Sequence, residues 1–387
     1  MSGIETARLR TALAAVLWLT LCQNTAQADV APVSAATATQ PKAAAPDTAP
    51  AWRRLNTEAF ARKQDDIYFA DRSTGWYGNG KGLVYRTRDG GETWTQQWEQ
   101  PGTFVRALGF VDADVGILGN IGPDSFPGAT DPLPLYRTTD GGASWAPVER
   151  IDGPAPVGIC AIDVLHSEYI NAGVLDRRTT LRAGGRVGGP AFLATSRDLG
   201  RTWTSVDMSA HTAMILDVKF VNEQVGFIAG ASHSDVAQSY ARILKTRDGG
   251  RSWHAVYESQ RPYEITWKMS FPSERVGYVT VQNYDPDTAV VQRYVAKTVD
   301  GGETWSELPL VADHKVREFG VGFVDELHGW VGATPNGFET RDGGKTWTPG
   351  RFGATSNKFR IVRDAKGTSV FAIGPEVYKL DLPAAAR

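Results

Sequence analysis

Four arginines, Arg177, Arg178, Arg182 and Arg186, fall within ten residues, and one acid, Asp176, stands among them. Guanidinium groups pair with carboxylates and phosphates in forked geometry, so this cluster could dock an acidic protein surface or another anion. A second set, Arg261, Lys315 and Arg317, is diluted by Asp313 and Glu318. The plainer reading of both sets is solvated surface charge. Other chemistries find less support. The six histidines (166, 211, 233, 254, 314 and 328) have no metal-ligand spacing such as His-x-x-x-His. Gly184, Gly185, Gly188 and Gly189 form a glycine-rich run, but no Lys-Ser or Lys-Thr follows to make a phosphate cradle. Cys160 sits in the apolar run GICAIDV and reads as a buried, inert thiol. No cofactor or metal is expected, and no residue is assigned a catalytic role.

The elements that must position these residues are set by repetition. Six segments share one pattern: TRDGGETW (87–94), TTDGGASW (138–145), SRDLGRTW (196–203), TRDGGRSW (246–253), TVDGGETW (298–305) and TRDGGKTW (340–347). This is the Asp-box, or BNR, motif. Asp89, Asp140, Asp198, Asp248, Asp300 and Asp342 recur every 42 to 58 residues, the length of a four-stranded propeller blade. Each aspartate is expected to accept backbone N–H groups of its own turn and so to serve structure. Before each box stands an alternating apolar strand, a polar turn and a glycine-containing strand, as in DVKFVNEQVGFIAG (217–230). There are seven such units but six boxes. The last unit, starting FRIVRDAKGTSVFAIG (359–374), ends in VYKLDL (377–382) without a box. Residues 51–55, AWRRL, repeat the Trp-x-x-apolar pattern that follows the other boxes. The expectation is an all-β, seven-bladed β-propeller over residues 51–387. Its ring would be closed by an N-terminal strand at 51–55, with Trp52 and Leu55 completing the last sheet.

The N-terminus reads as an export signal over residues 1–28. Arg8 and Arg10 precede an apolar run at 11–22 that is too short to span a bilayer, and Ala26-Gln27-Ala28 offers a cleavage site. Lipid attachment at Cys22 ranks second, because Leu21 stands where a small residue is expected. Residues 29–50, rich in Ala, Pro and Thr, read as a flexible tether. The mature chain is expected to be periplasmic or secreted, monomeric and not membrane-spanning. Its 41 basic residues nearly balance its 43 acidic ones, so nucleic acid is not an expected partner.

The segment FVDELHGWVGATPNGFETRDGGKTWTPG (323–350) resembles the repeat of the photosystem II stability/assembly factor family. Residues 217–256 and 66–98 resemble it less closely. The resemblance implies a seven-bladed propeller without catalytic activity that binds a protein partner in the cell envelope. The third unit, CAIDVLHSEYINAG (160–173), departs from the pattern. Asp boxes also occur in sialidases and other glycosidases, which keeps a glycoside hydrolase as one alternative and a glycan- or small-ligand-binding module as another. The sialidase Arg-Ile-Pro signature has its nearest match in FRIV (359–362), without the proline. On a propeller the loops near 120–134, 174–190, 231–240 and 282–291 would share one face, with the box turns on the other. Two carboxylates and an arginine meeting at the channel mouth on that loop face would favour a hydrolase. Exposed aromatics there, such as Tyr263 and Trp267, would favour a ligand-binding module.

Overall fold

Each Asp box folds into the same hydrogen-bonded knot. In the first, Gly91 N donates to Thr87 Oγ1 (2.9 Å), Thr93 N donates to Asp89 Oδ1 (2.9 Å), and Thr93 Oγ1 donates to Asp89 Oδ2 (2.5 Å). The aspartate-to-hydroxyl bond recurs at Asp140, Asp198, Asp248, Asp300 and Asp342. These bonds favour the ionised form and hold the Asp89, Asp140 and Asp342 carboxyls down at about 2. Both glycines of the box take left-handed backbone angles, Gly90 at φ 72 and Gly91 at φ 94. The third box holds the first of these positions with Leu199 at φ 62, a conformation that strains a side-chain-bearing residue.

The computed structural model describes residues 50–58, 60, 64–171 and 174–384. The expected signal and nearly all of the expected tether lie outside the described residues. Among these residues the strands form seven sheets, six of four strands and the third of five. The arrangement is nearly all-β and consistent with a propeller. The first sheet runs Gln64–Phe69, Gly75–Asn79, Leu83–Thr87 and Thr95–Glu99 from its inner to its outer edge. The third gains its extra strand from Arg150–Asp152, which pairs parallel with Thr202–Asp207. Antiparallel order puts the turn after each inner strand at the same end as the box turn.

A second local module explains the spacing between unit and box. In five sheets a phenylalanine closes the inner strand or directly follows it, a glycine opens the second strand, and the box tryptophan meets the phenylalanine ring edge-on. Phe69 and Trp94 lie 6.0 Å apart between centroids, Phe220 and Trp253 5.9 Å, and Phe323 and Trp347 6.4 Å. A Cβ on Gly75 would stand 2.5 Å from the Phe69 ring, so only glycine fits there. Neighbouring sheets then stack ring on ring: Trp76 on Phe110 at 3.5 Å, Phe227 on Phe271 at 4.5 Å and Tyr278 on Phe323 at 3.5 Å. The same contact joins the seventh sheet to the first, with Phe371 on Phe69 at 3.8 Å.

The inner strands are also latched by charge. Asp66 Oδ2 accepts Leu108 N (2.9 Å), Asp163 Oδ2 accepts Phe220 N (3.0 Å) and Asp217 Oδ2 accepts Met269 N (2.9 Å), each bond crossing to the next sheet. Each of these aspartates also pairs with a lysine, Lys358, Lys219 and Lys268 in turn. Every inner strand contacts the inner strand of the next sheet, and that of the seventh contacts that of the first. The seventh sheet draws on both ends of the described chain. Its outermost strand, Arg53–Arg54, pairs antiparallel with Val377–Pro383, matching Arg53 to Lys379 and Arg54 to Tyr378. The pairing expected of residues 51–55 is therefore present. Leu55 is buried and Trp52 is partly buried against Trp330 and Phe352.

Candidate functional site

The third sheet is where the expectation and the structure differ most. Residues 174–190 do not begin as a loop. Strand Val174–Gly185 pairs antiparallel with Ala161–Asn171 over eleven residue pairs, from Ala161–Gly184 to Asn171–Val174. The inner hairpin is thus prolonged into a finger on the box-turn side of the molecule. A strand advances about 3.3 Å per residue, so Arg177 and Arg186 lie about 30 Å apart along the chain. The four arginines cannot form one patch. Arg177 and Arg178 are exposed on the finger and pair with Glu168 (2.9 Å) and Asp176 (2.8 Å). Arg182 is buried, lies 3.4 Å from the centre of the Phe220 ring and pairs with Glu223 (3.4 Å). Arg186 is buried at the other end of the strand. It donates to Gly189 O (3.1 Å), Pro123 O (2.8 Å) and Ser125 Oγ, and so ties down the loop of the second sheet. The alternation of the strand, continued past its expected end, is what turns Arg182 inward.

On the opposite side the second set of cations meets a buried polar cluster. Arg261 Nε donates to Glu264 Oε1 (2.7 Å), its two terminal nitrogens pair with Glu307, and its guanidinium lies over the Tyr294 ring. It is committed to the fold. Arg317 stacks over Tyr284 at 5.0 Å, while its Nε and Nη1 are buried without a hydrogen-bond partner. Lys315 is exposed on the turn that Asp313 Oδ1 organises by accepting its backbone N–H. Between them stand two carboxylates that sequence reasoning did not assign as site residues. Glu264 opens the inner strand of the fifth sheet and Glu318 lies near the start of that of the sixth. Both are buried. Neither oxygen of Glu318 has a hydrogen-bond partner, and burial pushes its carboxyl up to about 8 despite the nearby Arg293 and Arg317. The available signal was an acid at or next to the head of an inner strand, in EITWKMS and REFGVGF.

Glu318 gives a pH prediction. A carboxyl raised in the folded state stabilises that state fully below its ordinary value of 4.5, and the contribution is lost as pH rises through about 8. Glu318→Gln keeps the neutral shape without the proton. The variant is therefore expected to gain stability over the wild type as pH rises, by about 2 kcal/mol at pH 9 relative to pH 4, allowing for water entering the site. Denaturant melts at the two pH values measure it, and an equal difference at both would count against a raised carboxyl.

Buried side chains from three sheets meet between the sheets. Asp65 and Arg106 form a buried ion pair at 2.8 Å, and the Arg106 guanidinium lies 4.9 Å from the Trp267 ring centre, reaching from the second sheet to the fifth. Trp267, whose exposure at a channel mouth would have favoured a ligand-binding module, is fully buried, and Tyr263 is half-buried at φ 63. Two open grooves lie on the box-turn side. One is lined by Arg275, Lys297 and Glu326, the other by Leu165, Tyr169 and Glu223. Among the described residues no group of three His, Cys, Asp or Glu is placed to hold a metal ion, and no helix is long and apolar enough to cross a membrane.

No model of a known protein family matches the chain, and no curated protein matches it in sequence. Solved structures do resemble it. YCF48 bound to D1 peptide superposes with a TM-score of 0.59 at 17% identity, covering 88% of this chain and 97% of that one. YCF48 from Cyanidioschyzon merolae gives 0.57 at 16%, covering 85% and 98%. The GH74 xyloglucanase from Xanthomonas campestris gives 0.59 at 16%, covering 86% of this chain and 53% of that one. At these identities the likeness is one of fold.

Proposed function

We infer that the chain closes as a seven-bladed propeller and works, after export, as a non-catalytic scaffold that holds a protein partner in the cell envelope. One observation carries this reading: the centre is packed by Asp65, Arg106 and Trp267, which leaves recognition to the rims and protrusions. The fold it shares with YCF48, a protein solved with a bound peptide, supports the same reading. Exposed Lys315 and half-exposed Arg317 make the loop-side rim a place for a partner's carboxylates. The test is capture from native envelopes with a tagged chain, across a salt series, beside the Lys315→Ala/Arg317→Ala variant. Capture is expected to weaken with salt and to fall in the variant, with circular dichroism unchanged. Equal capture by both proteins at every salt concentration would remove the rim from the proposal.

A second reading rests on Glu264 and Glu318, two carboxylates beside an arginine, with Glu318 still protonated at neutral pH. Glycosidases use such pairs as acid and base, and GH74 enzymes share the fold. Here the pair is buried, so the reading needs the rim to open. Hydrolysis of any soluble glycan that Glu318→Gln abolishes would establish it.

A further inference from the structure

The finger of the third sheet has a free strand edge. Strand Phe192–Ser196 pairs with Val174–Gly185 only from Leu181 to Gly185. Val174 to Thr180 are paired on one side alone, with residues 165–171. Among the described residues no other strand covers that second side. Thr180 is buried with its hydroxyl on Glu223, so the six residues Val174 to Thr179 leave an open edge about 20 Å long. Its far end is apolar. Ile170 is 82% exposed and Val174 68%, with Leu175 and Tyr169 beside them. Proteins usually blunt such an edge, because it is a template for another strand.

The charges on the edge say which strand fits. Arg177 is neutralised by Glu168 and Arg178 by Asp176, so the finger carries little net charge to draw a distant anion. The order along the edge is Val-Leu-Asp-Arg-Arg-Thr-Thr. A second copy laid antiparallel, with the two-fold axis at Arg177, sets Asp176 of each chain opposite Arg178 of the other. It also sets Leu175 opposite Thr179, and it brings the two Arg177 residues face to face on the axis, each already neutralised by its own Glu168. Opposite charges facing across strands are stabilising, and a two-fold interface must be self-complementary in this way. The two Leu181 residues, where the supported part of each strand begins, end about 27 Å apart at the strand rise per residue. We propose that this edge pairs two copies of the chain through their Leu175–Thr179 segments, making a four-stranded sheet from two fingers. The contact is smaller than the roughly 1,200 Å² of a standard interface, so association is weak and concentration-dependent.

The test uses charge reversal at the exposed finger. Sedimentation equilibrium over a concentration series is run on the wild type, on Asp176→Arg and on Arg178→Asp, each first checked for an unchanged melting temperature. The wild type is expected to associate reversibly. Each single variant puts like charges opposite each other at two places and is expected to bind itself at least about tenfold more weakly. An equal mixture of the two variants restores both opposite-charge pairs and is expected to recover wild-type association as a heterodimer. A wild type that stays monomeric overturns the proposal, even if it then takes up an extended peptide or floats with lipid vesicles. So does association that neither variant weakens, or a mixture that fails to recover.

Discussion

Replacing Trp52 with alanine is expected to lower the stability of the whole domain by about 3–5 kcal/mol. The strand that Trp52 introduces has only two paired residues, Arg53 and Arg54. A two-residue ladder cannot hold a sheet edge by itself, so the side chains around it must. The Trp52 ring stands 5.5 Å from Trp330, 5.1 Å from Phe352 and 6.2 Å from Phe359, in tilted and edge-on geometries. These rings come from the sixth and seventh sheets, so the residue joins two sheets as well as capping one. Leu55 N donates to Val377 O (2.8 Å), and the Leu55 side chain enters the cluster of Phe371 and Phe69, between the seventh sheet and the first. Leu55→Ala is therefore expected to cost about 2–5 kcal/mol through its own cavity. The exposed ion pairs Arg54–Glu376 and Arg53–Glu92 add little, since exposed pairs contribute about 0–1 kcal/mol. Urea unfolding followed by tryptophan fluorescence, with circular dichroism as a second probe, reads the change. A Trp52→Ala protein with the wild-type midpoint and slope would show that the strand decorates the sheet and does not close it.

Asp66→Ala is expected to cost about 3–5 kcal/mol, because it breaks a buried ionic cluster and removes only one side of it. Asp66 Oδ2 accepts Leu108 N (2.9 Å) from the second sheet and Lys358 Nζ (2.9 Å) from the seventh, and Arg360 reaches Oδ1 at 3.5 Å. One carboxylate thus fastens the first sheet to both of its neighbours. Burial alone would raise its carboxyl, but Lys358 and Arg360 pull it below the ordinary value. Lys358 is buried too, and desolvation pushes its ammonium down to about 8 even with Asp66 present. Without Asp66 that ammonium has lost the charge that keeps it protonated, and Leu108 N has lost its acceptor. Asp66→Asn keeps an acceptor oxygen and discards the charge, so it is expected to fall between wild type and alanine. Asp66→Ala/Lys358→Met removes both buried charges and is expected to recover part of the loss. Denaturant melts of the wild type, Asp66→Ala, Lys358→Met and the double variant form the double-mutant cycle. Additive single effects would mean that the two groups do not act as one latch.

What the sequence determined by itself is what lies close together along the chain. The box knots join Thr87 to Asp89 and Gly91, and Asp89 to Thr93, within a few residues, and the same bonds recur wherever the pattern recurs. The phenylalanine, glycine and tryptophan that pack five of the units lie within one sheet's stretch of chain, so their spacing could be read as a period. The pairing of residues 51–55 with the last strand was legible for a related reason: a repeated unit lacking its outer strand leaves a countable gap. The tertiary structure decided the rest. In the third unit the alternation runs on through polar residues, and a protruding hairpin exposed on both faces carries no apolar stripe to distinguish it from a loop. Its arginines were thus read as one cluster, whereas strand geometry sends Arg177 and Arg186 to opposite ends. Glu264 and Glu318 belong to different repeats, and Asp65, Arg106 and Trp267 to three. No local pattern brings them together. Their meeting depends on how inner strands of different sheets come together, where burial pushes the Glu318 carboxyl up.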